Sequence, residues 1–393
     1  MGLRTFVGRR GALRQPAFCS PADGVGSFIF IKRQYLTIKD IWRQNMKKTL
    51  IVLSALAALA GAAHAQSSNV TIYGIVDSGI EFANNGKDSV SRVQSGSLAQ
   101  SRIGFTGTED LGGGLKALFM LENGFNVDNG SLAQSGLLFG RQAFVGLGSA
   151  AGTVTLGRQY EPLHSLHVKF STHAVGFGDA SAAYVPAIED VRLDNSLKYV
   201  SPAFAGLAMT LFYALGENTA LPAAGKSYGN LLNIQANYDN GPLAAALSYV
   251  SKRKTAAAPD NITKNIAAAV SYDFSLLKPY LILETVRNDL SSAAIPNYDF
   301  WSLAMDVPLG QGRLNFSYGS LKNKSAANAN SRSYGVVFDY DLSKRTTLYT
   351  GYSKVSNDAG AGFGVGSANG SEVAAAGPGY DPRALIFGIR HKF

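Results

Sequence analysis

The chain has 393 residues and a formal charge of +9, from 36 Lys/Arg against 27 Asp/Glu. Ten of those bases and two of those acids precede residue 66, so the remainder is nearly neutral and gives no reason to expect nucleic acid as a partner. The one cysteine, Cys19, lies in the same leader, so the rest must be stable without disulfides.

From Met46, "MKKTLIVLSALAALAGAAHAQ" has the form of a secretory signal peptide. Lys47 and Lys48 form its charged start, Leu50 to Ala60 its apolar core, and Ala63-His64-Ala65 a small-x-small cleavage site before Gln66. That apolar run is too short to span a bilayer as a helix. Residues 1–45 are read as a spurious extension from an early start codon, 46–65 as the signal, and 66–393 as the exported domain.

After Gln66 the recurring pattern is alternation over about ten residues, the length a tilted strand needs to cross a bilayer. In "NVTIYGIVDSGIEF", Val70, Ile72, Val76, Ile80 and Phe82 share a face, opposite Thr71, Asp77 and Glu81. Further along, Leu232, Ile234, Ala236 and Tyr238 oppose Asn233, Gln235, Asn237 and Asp239; Ile266, Val270, Tyr272 and Phe274 oppose Asn265, Ser271 and Asp273. Tyr334, Val336, Phe338, Tyr340 and Leu342 oppose Ser333, Gly335, Val337, Asp339 and Asp341, and the closing "RALIFGIRHKF" sets Leu385, Phe387, Ile389, His391 and Phe393 against Ala384, Ile386, Gly388, Arg390 and Lys392.

Soluble sandwiches alternate too, but three features favour a membrane. Connections alternate between short turns ("EDLGGGL", "GSAAGT", "SPAFAG", "YDNGPL", "DFSLLKP", "VPLGQG", "DLSKRT") and long polar segments at 83–97, 125–137, 161–190, 252–261 and 357–382. Aromatics of the apolar face end the strands: Tyr238, Tyr272, Phe274 and Tyr340 before short turns, Phe82, Tyr213, Tyr249 and Tyr318 before long loops. The opposite face is expected to be polar along its whole length, facing water inside a closed cylinder. Seven hairpins plus the first and last strands predict an all-β, 16-stranded antiparallel transmembrane barrel, with closure abolishing both edges.

Several motifs, in order, resemble the general trimeric porins of Gram-negative outer membranes in their betaproteobacterial form. They are "VTIYGIVDSGIEF", "SRIGFTGTEDLGGGLKALFMLENGF", "GRQAFVGLGSAAGTVTLGRQYEP", "RLDNSLKYVSP" and "FGIRHKF", and the resemblance covers essentially all of 66–393. It implies a homotrimer in the outer membrane, surrounded by lipid and lipopolysaccharide, passive diffusion of small hydrophilic solutes, and a C-terminal Phe393 read by the barrel assembly machinery. No cofactor, metal or bond chemistry is expected. Gly74, Gly79, Gly104, Gly107 and Gly146 would permit close subunit packing, and the loop 125–137 has the length to reach a neighbour.

Selectivity then rests on the narrowest section and its charges. By resemblance the loop 161–190 folds into the barrel as the constriction, facing wall arginines at Arg102, Arg141 and Arg192; strand parity agrees, because an arginine on the lipid face costs about 2–4 kcal/mol. Parity also groups Arg192 with Asp194, Ser196 and Lys198. Arg158 shares parity with Val154 and Leu156, leaving open a subunit contact or a bulge that turns it inward. Glu122 and Asp77 point to the lumen by parity and are expected to position the arginines. Within the loop, Asp179 is the carboxylate expected nearest the opening, alongside His167 and Lys169. Few acids oppose the arginines, so inorganic anions are expected to be moderately favoured, more so below about pH 6.5 if the loop histidines line the pore. A metal reading of His164, His167 and His173 is weak because their spacing is loose. The alternatives are a substrate-specific channel, for which no continuous aromatic slide is seen, and an outer-membrane enzyme or filled adhesin barrel, for which no catalytic motif is seen.

Overall fold

The computed structural model describes residues 69–216, 229–253 and 261–393, without the side chains of 370–372. The upstream extension and signal peptide assigned above lie outside the described residues. The strands are β1 (Asn69–Asn84), β2 (Ser89–Ser95), β3 (Arg102–Gly112), β4 (Leu115–Gly124), β5 (Gln142–Ser149), β6 (Gly152–Tyr160), β7 (Arg192–Val200), β8 (Leu207–Ala214), β9 (Leu231–Asn240) and β10 (Leu243–Arg253). They continue as β11 (Ile262–Tyr272), β12 (Lys278–Asn288), β13 (Tyr298–Leu309), β14 (Gly312–Asn323), β15 (Ser331–Asp341), β16 (Thr346–Asn357), β17 (Val365–Ser367), β18 (Gly370–Val373) and β19 (Arg383–Lys392).

Seventeen of these make one sheet, and β17 with β18 makes a separate hairpin. β1 pairs antiparallel with β19 over Ile75–Asn84, which closes the ring. Its other edge pairs with β3 over Asn69–Ile75 and then with β2 over Ser78–Asn84. β2 is thus a splint within the first long loop, and sixteen antiparallel strands form the wall. All seven short turns read from the sequence join consecutive wall strands.

Closure leaves no unpaired edge in hydrocarbon, where each unmade backbone bond would cost several kcal/mol. The seam includes the last residue: Phe393 and Gly74 exchange two backbone hydrogen bonds of 3.0 Å. The outward face is apolar, with Phe82, Leu147, Leu283, Trp301, Leu303, Leu348, Phe387 and Ile389 among its exposed residues. An apolar belt of that extent suits lipid and would be a liability in water.

The inner face departs from expectation. It is polar at Asn233, Ser248, Asn265, Glu284, Ser302, Ser317 and Ser333, but Phe212, Leu231, Val250, Ile282, Val286, Phe300 and Leu321 are also inside and buried. The loop 161–190 covers them. Its helix Pro162–Lys169 begins with Pro162, whose fixed φ suits a first helical turn. Leu163, Leu166, Phe170, Tyr184 and Ile188 pack on the apolar wall patch. Each large side chain so buried is worth about 1.5–3 kcal/mol, enough to hold the loop inside. The approach is closest where Gly335 of β15 meets Gly178: a Cβ on Gly335 would lie 2.3 Å from the Gly178 carbonyl oxygen.

Candidate functional site: the barrel lumen

A cavity of about 920 Å³ lies between the inward loop and the wall that carries the arginines. Arg102, Arg141 and Arg192 all line it, with Glu122 among them. Glu122 is 4% exposed; its Oε1 accepts from Arg141 Nε at 2.8 Å, and its Oε2 accepts from the Tyr73 hydroxyl at 2.8 Å and lies 3.6 Å from Arg102 Nε. Arg141 also donates to Gln100 and to the Tyr160 hydroxyl. Arg192 donates to that hydroxyl at 2.7 Å and lies over the Tyr160 ring at 4.5 Å, while His164 stacks on the ring at 5.3 Å. Two guanidiniums are therefore held on one tyrosine, and one carboxylate offsets part of their charge.

Tyr160 was not singled out from the sequence. It reaches the lumen because β6 slips register between Gly157 and Gln159, with Gly157 at φ 135°. The same bulge does not bring Arg158 to the cavity. Arg158 donates to the Gly140 carbonyl at 2.7 Å and to Asp194 at 2.7 Å, and Asp194 is consequently not on the Arg192 face. Asn195, at φ 50°, breaks the alternation there, whereas Ser196 and Lys198 keep the inward parity; Lys198 Nζ donates to the Tyr160 carbonyl at 3.0 Å.

The other expected pore residues are placed differently. Asp77 is inward by parity but 0% exposed, accepting from the Tyr349 hydroxyl at 2.7 Å and the Ala99 amide at 2.9 Å; it ties the segment after β2 to the wall and touches none of the three arginines. Asp179 is buried inside the loop, where it accepts from the Thr172 amide and hydroxyl at 3.0 and 3.1 Å and from both Ser181 donors. Burial still raises its pKa. Lys169 Nζ pairs with Asp239 of β9 at 2.5 Å, away from the cavity lining.

The three loop histidines turn to three different carboxylates. His164 meets Glu189 at 2.7 Å, His167 meets Glu284 of β12 at 2.7 Å, and His173 meets Asp339 of β15 at 2.7 Å. His167 has no exposed side chain and faces the wall. Burial alone would depress its pKa, but the Glu189 and Glu284 carboxylates outweigh that and push it up to about 9. Glu161 is raised well above the carboxylate range by burial and by the nearby Glu189, and accepts from Asn233 at 2.7 Å. Further bonds pin the loop: Lys252 to Asp190 at 2.6 Å, the Tyr184 hydroxyl to Ser331 at 3.2 Å, and the Ala180 amide to Ser317.

A second loop also reaches the lumen. Ser367, Ala368 and Asn369, at the tip of the β17–β18 hairpin, line the cavity. Asn369 accepts from Gln100 at 2.6 Å and donates to Asn126 at 3.0 Å. In the sequence this hairpin was only part of the long segment 357–382, whose polar composition carries no sign of direction.

Comparison with known proteins agrees with this architecture. A family model described as "Gram-negative porin" matches residues 52–360. The chain is 31% identical over 358 residues to outer membrane porin protein 32 of Delftia acidovorans, covering 88% of this chain and all of that protein. It is 31% identical to an outer membrane porin protein of Bordetella pertussis, covering 79% and 95% of the two chains. Among solved structures, an anion-selective porin from Comamonas acidovorans superposes with a TM-score of 0.74 at 27% identity, covering 83% of this chain and all of that one. With its closed barrel, apolar outer belt and loop-lined lumen, the chain belongs to the Gram-negative porin family.

Proposed function

We propose that this outer-membrane porin is a general diffusion channel for small hydrophilic solutes that favours anions. The observation that carries the preference is the charge lining the cavity: six Lys/Arg (Arg102, Arg141, Arg192, Arg313, Arg390, Lys392) against two carboxylates, Glu122 and Asp306. Glu122 is itself engaged by arginines, which leaves the lining basic. The opening is set on one side by Arg102, Arg141 and Arg192 and on the other by the docked loop, with the hairpin tip at Asn369 above. Fixed charges lining a water-filled passage raise the local concentration of counter-ions, so anions enter more readily than cations.

The working unit is read as a homotrimer in outer-membrane lipid and lipopolysaccharide, with Phe393 as the signal for the barrel assembly machinery. Arg158, paired to Asp194 off the cavity, is a candidate subunit contact. Planar-bilayer recording of refolded protein tests both parts. Current steps arriving in threes and a reversal potential in a KCl gradient on the anion side are expected; a cation preference at neutral pH overturns the selectivity, and single steps overturn the trimer.

A further inference from the structure

The basic lining continues on the short-turn side of the docked loop: Phe177 of the loop packs beside Gly351, which pairs with Ile386, and Arg390 and Lys392 lie four and six residues nearer the short-turn end of β19. Arg390 and Lys392 lie two residues apart on β19, on one face and about 7 Å apart along the strand. Ile75 pairs with Lys392 on one side and with Arg102 on the other, so those two cations share a rung about 9–10 Å across. Arg313, second residue of β14, lines the same cavity. The charges of Arg390, Arg102 and Arg313 all act on Lys392, against one nearby acid, Asp341.

Acids lie near these cations, but two of the cations are not paired to any of them. Among the described residues neither Arg390 nor Lys392 forms an ion pair, and the one hydrogen bond from Arg390 is a long contact of 3.4 Å to Thr347. Asp77, opposite Arg390 in register, directs its carboxylate to Tyr349 and Ala99 instead. Arg313 pairs with Asp339, but its Nε, like that of Arg390, is shielded from solvent and has no partner among the described residues. Asp306, the acid of this stretch of the lining, accepts from Tyr280 at 2.8 Å.

We propose that Arg390 and Lys392, flanked by Arg313, form a second anion-binding station on the short-turn side of the docked loop, suited to small oxyanions carrying two or more charges. A planar guanidinium with free N–H groups fits such oxygens in a forked geometry, and the adjacent ammonium adds an adaptable point charge. An anion leaving the constriction thus meets a second well rather than bare solvent. Two weak sites in series favour passage, because occupancy of one assists departure from the other. The station rests on the reading of the lumen as a basic channel.

Inorganic pyrophosphate, added to one compartment at a time in symmetric KCl, is the probe. Chloride current through the native trimer is expected to be blocked at lower concentration from the short-turn side than from the loop side. Removing both charges in an R390Q/K392Q variant is expected to weaken that block by about tenfold or more. R313Q, on a different strand, is a second variant should changes beside the C-terminus impair assembly; it is expected to weaken the block less. R141Q is expected to shift the reversal potential and leave the short-turn block intact. Equal block from both sides, or unchanged block in R390Q/K392Q and R313Q, overturns the station. A channel that prefers cations yet is blocked from the short-turn side sinks the selectivity reading and leaves the station standing.

Discussion

His173 of the inward loop and Asp339 of β15 meet at 2.7 Å across 166 residues of sequence, and the same carboxylate oxygen accepts from Arg313 at 2.7 Å. One buried acid therefore fastens the loop to the wall and holds a basic residue of the lumen.

Replacing either partner is expected to loosen the loop. H173A or D339N leaves a buried polar group without its partner, at a cost of about 1–3 kcal/mol to docking. Faster proteolysis within 161–190 and noisier single-channel current are expected, with the barrel itself intact. Identical protease patterns in native and variant proteins would show that the contact is not a fastening.

His167 gives loop docking a pH dependence of its own. His167 titrates near 9 rather than 6.5, so acidification from neutral pH adds no charge there. A folded-state pKa above the unfolded one means that its contribution to docking is complete below about 6.5 and is lost as pH rises through about 9. Glu161, an acid whose pKa burial raises, acts in the same direction. Hydrogen exchange in 162–189, corrected for intrinsic rate, should accelerate above pH 8, and H167Q should flatten that rise. Flat exchange in the native protein up to pH 10 counts against the linkage.

Arg192 is held on Tyr160 and forms no ion pair among the described residues, so its charge is a direct contributor to the field in the opening. At about 6 Å in water one unit charge is worth about 0.7 kcal/mol, roughly a threefold change in local anion concentration. R192Q should lower the chloride-to-potassium permeability ratio by about that factor. A ratio unchanged within error would remove Arg192 from the selectivity argument.

Gly335 tests the loop position sterically. A methyl group there collides with the Gly178 backbone, and overpacking of this kind costs about 1–3 kcal/mol. G335A should push the loop toward the arginines and reduce conductance, whereas G112A, with open space around its Cβ position, should not narrow the lumen even though its positive φ strains the turn. Equal conductance in all three proteins would mean that the loop position does not control the opening.

Parity was a good guide wherever the backbone stayed regular. It assigned Arg102, Arg141 and Glu122 to the lumen, because a charged side chain in a lipid-spanning strand has only one tolerable side. It misled at Asp194, where Asn195 takes a left-handed conformation, and it gave no hint of Tyr160, which a bulge turns inward. Asp77 and His167 have inward or loop positions, yet both are covered, since parity says which face a residue takes and nothing about what lies on top of it.

Strand number, closure and the apolar outer belt are local properties, written in alternation and turn chemistry repeated along the chain, so the sequence alone determined them. Which inner-wall residues meet water was decided only in the folded barrel. The loop 161–190 chose one side of the lumen through apolar and charged contacts to β8–β15, residues remote in sequence. It buried His167 and His173 against that wall and left His164 on the cavity side beside Tyr160, with Arg102, Arg141 and Arg192 in the same lining, because burial there is a sum over many distant partners.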